Sequence, residues 1–158
     1  EHCYRFARFL RTYIPGFEDA YLMVCSPFLG ARGGRTIDAV YPISVDDLTA
    51  ERQFDDVIYI YNDRRSQKNC DVPYRALIPK EIDALIATGR SAMPYGPNFR
   101  ARCNMLLNGQ AAGVAAALCV RDSVEPRSLD ARRLQKILVQ ELGCPLAEEG
   151  RLREMKLE

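Results

Sequence analysis

The stretch from Arg102 to Asp122, R-C-N-M-L-L-N-G-Q-A-A-G-V-A-A-A-L-C-V-R-D, constrains this chain more than any other. It reads as one long helix, apolar around most of its girth and crowded with alanine. A helix of that kind is buried in protein or in lipid. Asn108 and Gln110 interrupt an apolar run of only about 16 residues, short of the roughly 20 needed to span a bilayer. Protein on more than one side is therefore the expected surround, and no membrane partner is expected. Gly109, Gly113 and Ala117 recur at four-residue spacing and form one smooth side. Each glycine costs about 1 kcal/mol against alanine in a helix interior. The pair is expected to admit a backbone or a flat ligand; plain packing of helix on sheet is the alternative.

The flanks extend this unit. Ala84 to Thr88 is a short apolar run expected to be a strand, and Gly89-Arg90 and a Gly/Pro-rich loop from Ser91 to Phe99 lead into the helix. Unpaired N–H groups at a helix start carry roughly half a positive charge, which suits a phosphate or an electron-rich ring edge. Arg100 and Arg102 add charge at this end.

Upstream, His2 to Tyr13 places apolar residues at helical spacing and predicts a helix with one buried stripe, ended by Pro15-Gly16. Ala20 to Ser26 and Thr36 to Ile43 are expected strands on either side of a glycine-arginine loop. Ser44 is the expected N-cap of a short helix with acids in its first turn. Val57 to Tyr61 is a strong strand, Asn62 to Asn69 a polar loop, and Val72 to Pro79 an extended piece bounded by prolines. After Val124-Glu125-Pro126, Ser128 opens an amphipathic helix stopped by Gly143 and Pro145. Glu148 to Glu158 reads as a charged, frayed tail.

The totals narrow the partners. The 158 residues are 47% hydrophobic and 27% charged, with a formal net charge of +1, which argues against nucleic acid as a partner. Six cysteines are scattered without a C-x-x-C pair and the single histidine is His2, so no metal site is expected. With no signal peptide in view, reduced thiols and a cytoplasmic location are expected. Glu1 is not an initiator methionine, and the chain reads as a fragment or processed product.

Pro73 to Arg90 (P-Y-R-A-L-I-P-K-E-I-D-A-L-I-A-T-G-R), then Arg100 and Leu107 to Leu118 (L-N-G-Q-A-A-G-V-A-A-A-L), resemble the C-terminal signature of FAD-dependent oxidoreductases of glutathione-reductase-like fold. Pro15 to Leu22 and Leu29 to Ile37 resemble the same family's substrate-side strand and arginine loop. The resemblance covers roughly residues 5 to 143, nearly the whole chain.

It implies an α+β partial flavoprotein fold: substrate-domain strands, then the last strand and long buried helix of an FAD-binding domain. The implied divisions are a substrate-domain-like segment over 1–83, the strand–loop–helix over 84–122, and a C-terminal helix and tail over 123–158. It further implies an oxidoreductase using FAD, this chain covering the flavin ring and part of the pocket for a small-molecule substrate. Gly89 and Arg90 would border the ribityl and pyrophosphate region, and Arg100 would approach the flavin or substrate. Backbone amides of Cys103, Asn104 and Met105 would point at the pyrimidine edge of the ring, with Arg32 and Arg35 on the substrate side.

The chain departs from the family pattern in three places. No histidine precedes the glycine of the Met93–Asn98 loop, Cys103 and Asn104 stand where Pro and Thr are usual, and no G-x-G-x-x-G follows a strand. A nucleotide-binding N-terminal part, in the same or another chain, is therefore the implied partner, and activity of this chain alone is not expected. The alternative is a non-catalytic binding or assembly subunit derived from the fold, with exposed helix faces driving association. For single residues, two readings stay open. Arg32 and Arg35 are substrate ligands or solvated arginines, Arg75 a structural ion pair or a substrate group, and Cys103 an activated or an inert thiol.

Overall fold

The computed structural model describes residues 1–28, 34–63, 65–92 and 101–157. The chain divides into two compact units, Glu1–Arg32 and Gly33–Glu158.

In the first unit, helix α1 (His2–Tyr13) has the expected bounds, but it buries no residue. Its aromatic stripe is exposed, with Phe6–Phe9 and Phe9–Tyr13 ring centroids 6.3 and 5.4 Å apart. Gly16, at φ 90°, turns the chain, and the Glu18 carboxylate fixes the turn by accepting from the Gly16 amide at 2.9 Å. Ala20 to Ser26 is not the expected strand; it lacks a ladder partner among the described residues. An apolar β-branched run becomes a strand only when a neighbouring backbone pairs with it. Ala20 to Leu22 instead border apolar side chains of α1.

The second unit is built on an antiparallel hairpin of β1 (Val57–Asp63) and β2 (Lys68–Pro73), with Tyr59 opposite Val72 and Tyr61 opposite Cys70. Short helix α2 (Val45–Thr49) precedes it. Its cap is the expected one: Ser44 accepts from the Asp47 amide, while the Asp47 carboxylate accepts from the Ser44 amide. Helix α3 (Arg102–Asp122) matches its expected bounds and packs on β1. Helix α4 (Ala131–Lys136) starts three residues later than the expected Ser128, because the Asp130 carboxylate supplies the cap at 2.9 Å from the Arg132 amide. It widens into a π turn over Ile137–Glu141 and ends at Gly143, φ 63°. Tyr59, Tyr61, Val72, Leu77, Leu134, Leu138 and Leu146 fill the core.

The α+β class holds, but α3 is buried on one side only. Asn104, Asn108, Ala111, Ala112, Ala115, Leu118 and Cys119 face the core, while Leu106 and Val120 are 74% and 82% exposed. By length and composition α3 also qualifies as a membrane span, yet its buried asparagines and its packing on β1 mark a protein-facing side. Thr36–Ile43 and Ala84–Thr88 are not strands. Ala39 makes a single antiparallel bridge to Pro79, and the Ala87 amide donates to Leu77 O at 2.8 Å. Ala84 sits at φ 53°, which breaks the run at its first residue.

The tail is not frayed throughout. Helix α5 (Glu149–Glu154) brings Arg151 onto the buried Asp71 carboxylate, with Nη1 to Oδ1 at 2.9 Å, and Leu157 is fully buried. Val72 to Pro79 is also less extended than expected, since Tyr74–Leu77 coils into a single 3₁₀ turn.

Candidate functional site

Alanine has no side-chain acceptor, so Ala101 at the N-cap of α3 leaves that helix start without a side-chain cap. The first turn also contains no acid. Nothing in the helix's own sequence therefore neutralises its positive end, and Arg102 adds to it. The Met105 amide closes the first turn onto Ala101 O at 3.0 Å, so it is already engaged within the helix. The Met105 amide is thus poorly suited to an outside ligand. Cys103 carries an exposed thiol, its Sγ 3.7 Å from Asn104 Oδ1, while the Asn104 side chain is buried.

Gly89 opens a 3₁₀ turn, Gly89–Ala92, at φ 80°, a conformation a side chain would strain. This turn packs against α3. Arg90 reaches back across it, Nη2 donating to Arg35 O at 3.3 Å, and the Ile37 amide donates to Ser91 O at 2.9 Å. Gly89, Arg90 and Arg35 are therefore brought together, with Arg35 joined to the cluster through its main-chain carbonyl. Arg32, Arg100 and the Met93–Asn98 loop lie outside the described residues.

A polar residue that interrupts the apolar run of α3 holds this corner. Asn108 is fully buried, nearly two turns into α3. Its Oδ1 accepts from the Thr88 hydroxyl at 2.5 Å, tying the residue before Gly89 to the helix. The Tyr59 phenol on β1 interacts with the same amide, which favours its ionised form. Burial acts the other way and wins, holding Tyr59 well above the usual tyrosine range. Among the described residues Asn108 Nδ2 makes no hydrogen bond. The readable signal was a polar amide inside an alanine-rich helix, which in a packed interior must find partners.

Arg75 resolves as a structural ion pair. Its guanidinium donates to Asp56 Oδ1 at 2.9 Å and to Asp55 Oδ1 at 3.2 Å, and its own amide donates to Asp56 Oδ2. Tyr74 is a core residue whose hydroxyl donates to Pro126 O at 2.9 Å.

Among the described residues the corner is thus a helix start with no side-chain cap and no acid in its first turn, beside a left-handed glycine and an arginine. Chemically it suits an electron-rich or anionic group. In comparisons with known proteins, a family model described as FAD dependent oxidoreductase matches residues 1–138. No curated protein matches, and no solved structure matches.

Proposed function

Because the chain belongs to the FAD dependent oxidoreductase family, we propose that it forms the flavin-facing wall and part of the substrate pocket of a flavoenzyme. The observation that carries this reading is the start of α3, positive and uncapped, fixed beside Gly89 and Arg90 by the Thr88–Asn108 bond. When bound, FAD supplies hydride or electron transfer.

The donor set fits one end of that cofactor. Main-chain N–H groups at Cys103 and Asn104 stabilise negative charge at a ring edge better than solvent does, because they are oriented in advance. Gly89 lets a ligand approach the backbone closely, and Arg90 adds a guanidinium next to it. Met105 contributes packing rather than its amide. On the substrate side, Arg35 is suited to an anionic or carbonyl-bearing small molecule; Arg32 and Arg100 complete the set by the resemblance alone. For the adenine half no Gly-rich cradle exists in this sequence, so the reading requires a nucleotide-binding part in the same or another chain.

The test is the visible spectrum of the protein made from its complete reading frame. A flavin band, or uptake of added FAD, supports the proposal. A colourless protein that takes up no FAD refutes it.

A second reading rests on a different observation. Leu106, Gly109, Gly113, Ala116, Ala117 and Val120 form a continuous exposed face of α3, as a non-catalytic assembly subunit would present to a partner. A monomer in size-exclusion chromatography with no apolar-dye binding counts against it.

A further inference from the structure

Arg75 and Arg151 each meet a carboxylate. Arg90 does not. Its partner is a neutral main-chain carbonyl, Arg35 O, reached by Nη2 at 3.3 Å, and no carboxylate among the described residues pairs with it. A carbonyl fixes the direction of a guanidinium without cancelling its charge. Arginine presents five N–H donors in a rigid fork, so a bond to Arg35 O leaves the rest of the fork for another acceptor.

The backbone that presents this carbonyl is glycine-dependent. Gly34 has φ 128°, a conformation that a side chain would strain, and it sets the path on which the chain enters Arg35. The Arg90 guanidinium also comes close to it: a Cβ added at Gly34 would stand 3.9 Å from Arg90 Nη1. That is ordinary contact rather than a clash, so conformation, not space, demands glycine. The two segments are joined again where the Ile37 amide donates to Ser91 O at 2.9 Å. On its other flank the turn is tied to α3 through Thr88 and Asn108.

On the flavin-facing reading above, we infer that Gly34 is a positioning residue for Arg90. Its conformation places the Arg35 carbonyl, and that carbonyl aims the Arg90 guanidinium, charge intact, at the diphosphate of FAD. Gly34 itself need touch no ligand.

The test is a double-variant cycle on the protein from its complete reading frame, stripped of flavin. Fluorescence titration reads the FAD dissociation constant, and thermal midpoints are measured in parallel. Arg90→Gln removes the charge and is expected to weaken FAD binding about 10- to 100-fold, the range for a hydrogen bond from a charged group. Gly34→Ala is expected to weaken it about tenfold, because the relaxed backbone must return to the strained path before Arg90 is aimed. The double variant decides. If Gly34 acts through Arg90, adding Gly34→Ala to Arg90→Gln costs no further affinity, while the thermal midpoint still falls. Effects on affinity that multiply overturn the inference, since Gly34 then supports the site through folding alone. Arg90→Lys keeps the test decisive if Gly34→Ala fails to fold. Lysine carries the charge but has no fork to share between carbonyl and ligand, so it should bind FAD as weakly as Arg90→Gln. Unaltered affinity in Arg90→Lys overturns the inference. Unaltered affinity in Arg90→Gln instead refutes the reading of Arg90 as a flavin contact, and the role of Gly34 falls with it.

Discussion

Replacing Gly109 and Gly113 by alanine is expected to stabilise the isolated chain. Both lie in the interior of α3 on its exposed side, and a Cβ added at either meets no atom within 4 Å. Neither has a positive φ that alanine would strain. The only change is then the intrinsic one, about 1 kcal/mol for each glycine, or about 2 kcal/mol for the double variant. For a chain of 158 residues that corresponds to a rise of roughly 4–8 °C in thermal midpoint. Circular dichroism melts of the single and double variants measure it directly. A lower midpoint would refute the reasoning, since it means that part of this fold already closes on that face. The same double variant is expected to weaken any association through α3, because two methyl groups then stand where a partner's backbone approaches. A variant that is more stable alone yet assembles less well would show that the glycines serve an outside contact.

Other outcomes follow from the interior. Arg151→Met keeps the aliphatic stem but strips the buried Asp71 carboxylate of its guanidinium, leaving the Phe54 amide at 2.7 Å; urea titration should show a loss of about 3 kcal/mol. A loss under about 1 kcal/mol would place this pair with exposed ones instead. Thr88→Val leaves Asn108 Oδ1 buried without its hydroxyl donor, at an expected cost of about 1–3 kcal/mol, with faster amide exchange over Gly89–Ala92. Burial pushes the Cys70 thiol up to about 12, from an ordinary value of 9.0. Above pH 9 the unfolded chain gives up this proton while the folded chain keeps it, so stability falls as pH rises from 9 towards about 12. Urea midpoints on either side of pH 9 should show that fall, and Cys70→Ala should lessen it.

What the sequence made readable was local. The bounds of α1 and α3, the Ser44 cap and the strand at Val57 follow from spacing and from side chains within a turn of one another. The runs at Ala20, Thr36 and Ala84 have strand-like composition, but a strand is made by its neighbour. Only Ala39 finds even one bridge among the described residues. Burial was the harder quantity. Both α1 and α3 have the expected helices, yet which faces are covered depends on the surrounding surface. Arg151 and Asp71 are separated by 80 residues, and no local pattern announces that pair. Gly89, Arg90 and Arg35 were named from the sequence as candidates, and the Arg90 guanidinium bonds the Arg35 main chain. Their link through the Arg35 carbonyl, and the bracing of the corner by Asn108, required the backbone path.

Site-resolved hydrogen exchange, with and without FAD, on the protein from the complete reading frame asks the central question most directly. Slowed exchange at Cys103, Asn104 and the Gly89–Ala92 turn on flavin binding, with Met105 little changed, is the expected result. A protein that binds flavin while those amides exchange at their unliganded rates would mean that α3 points its positive end elsewhere.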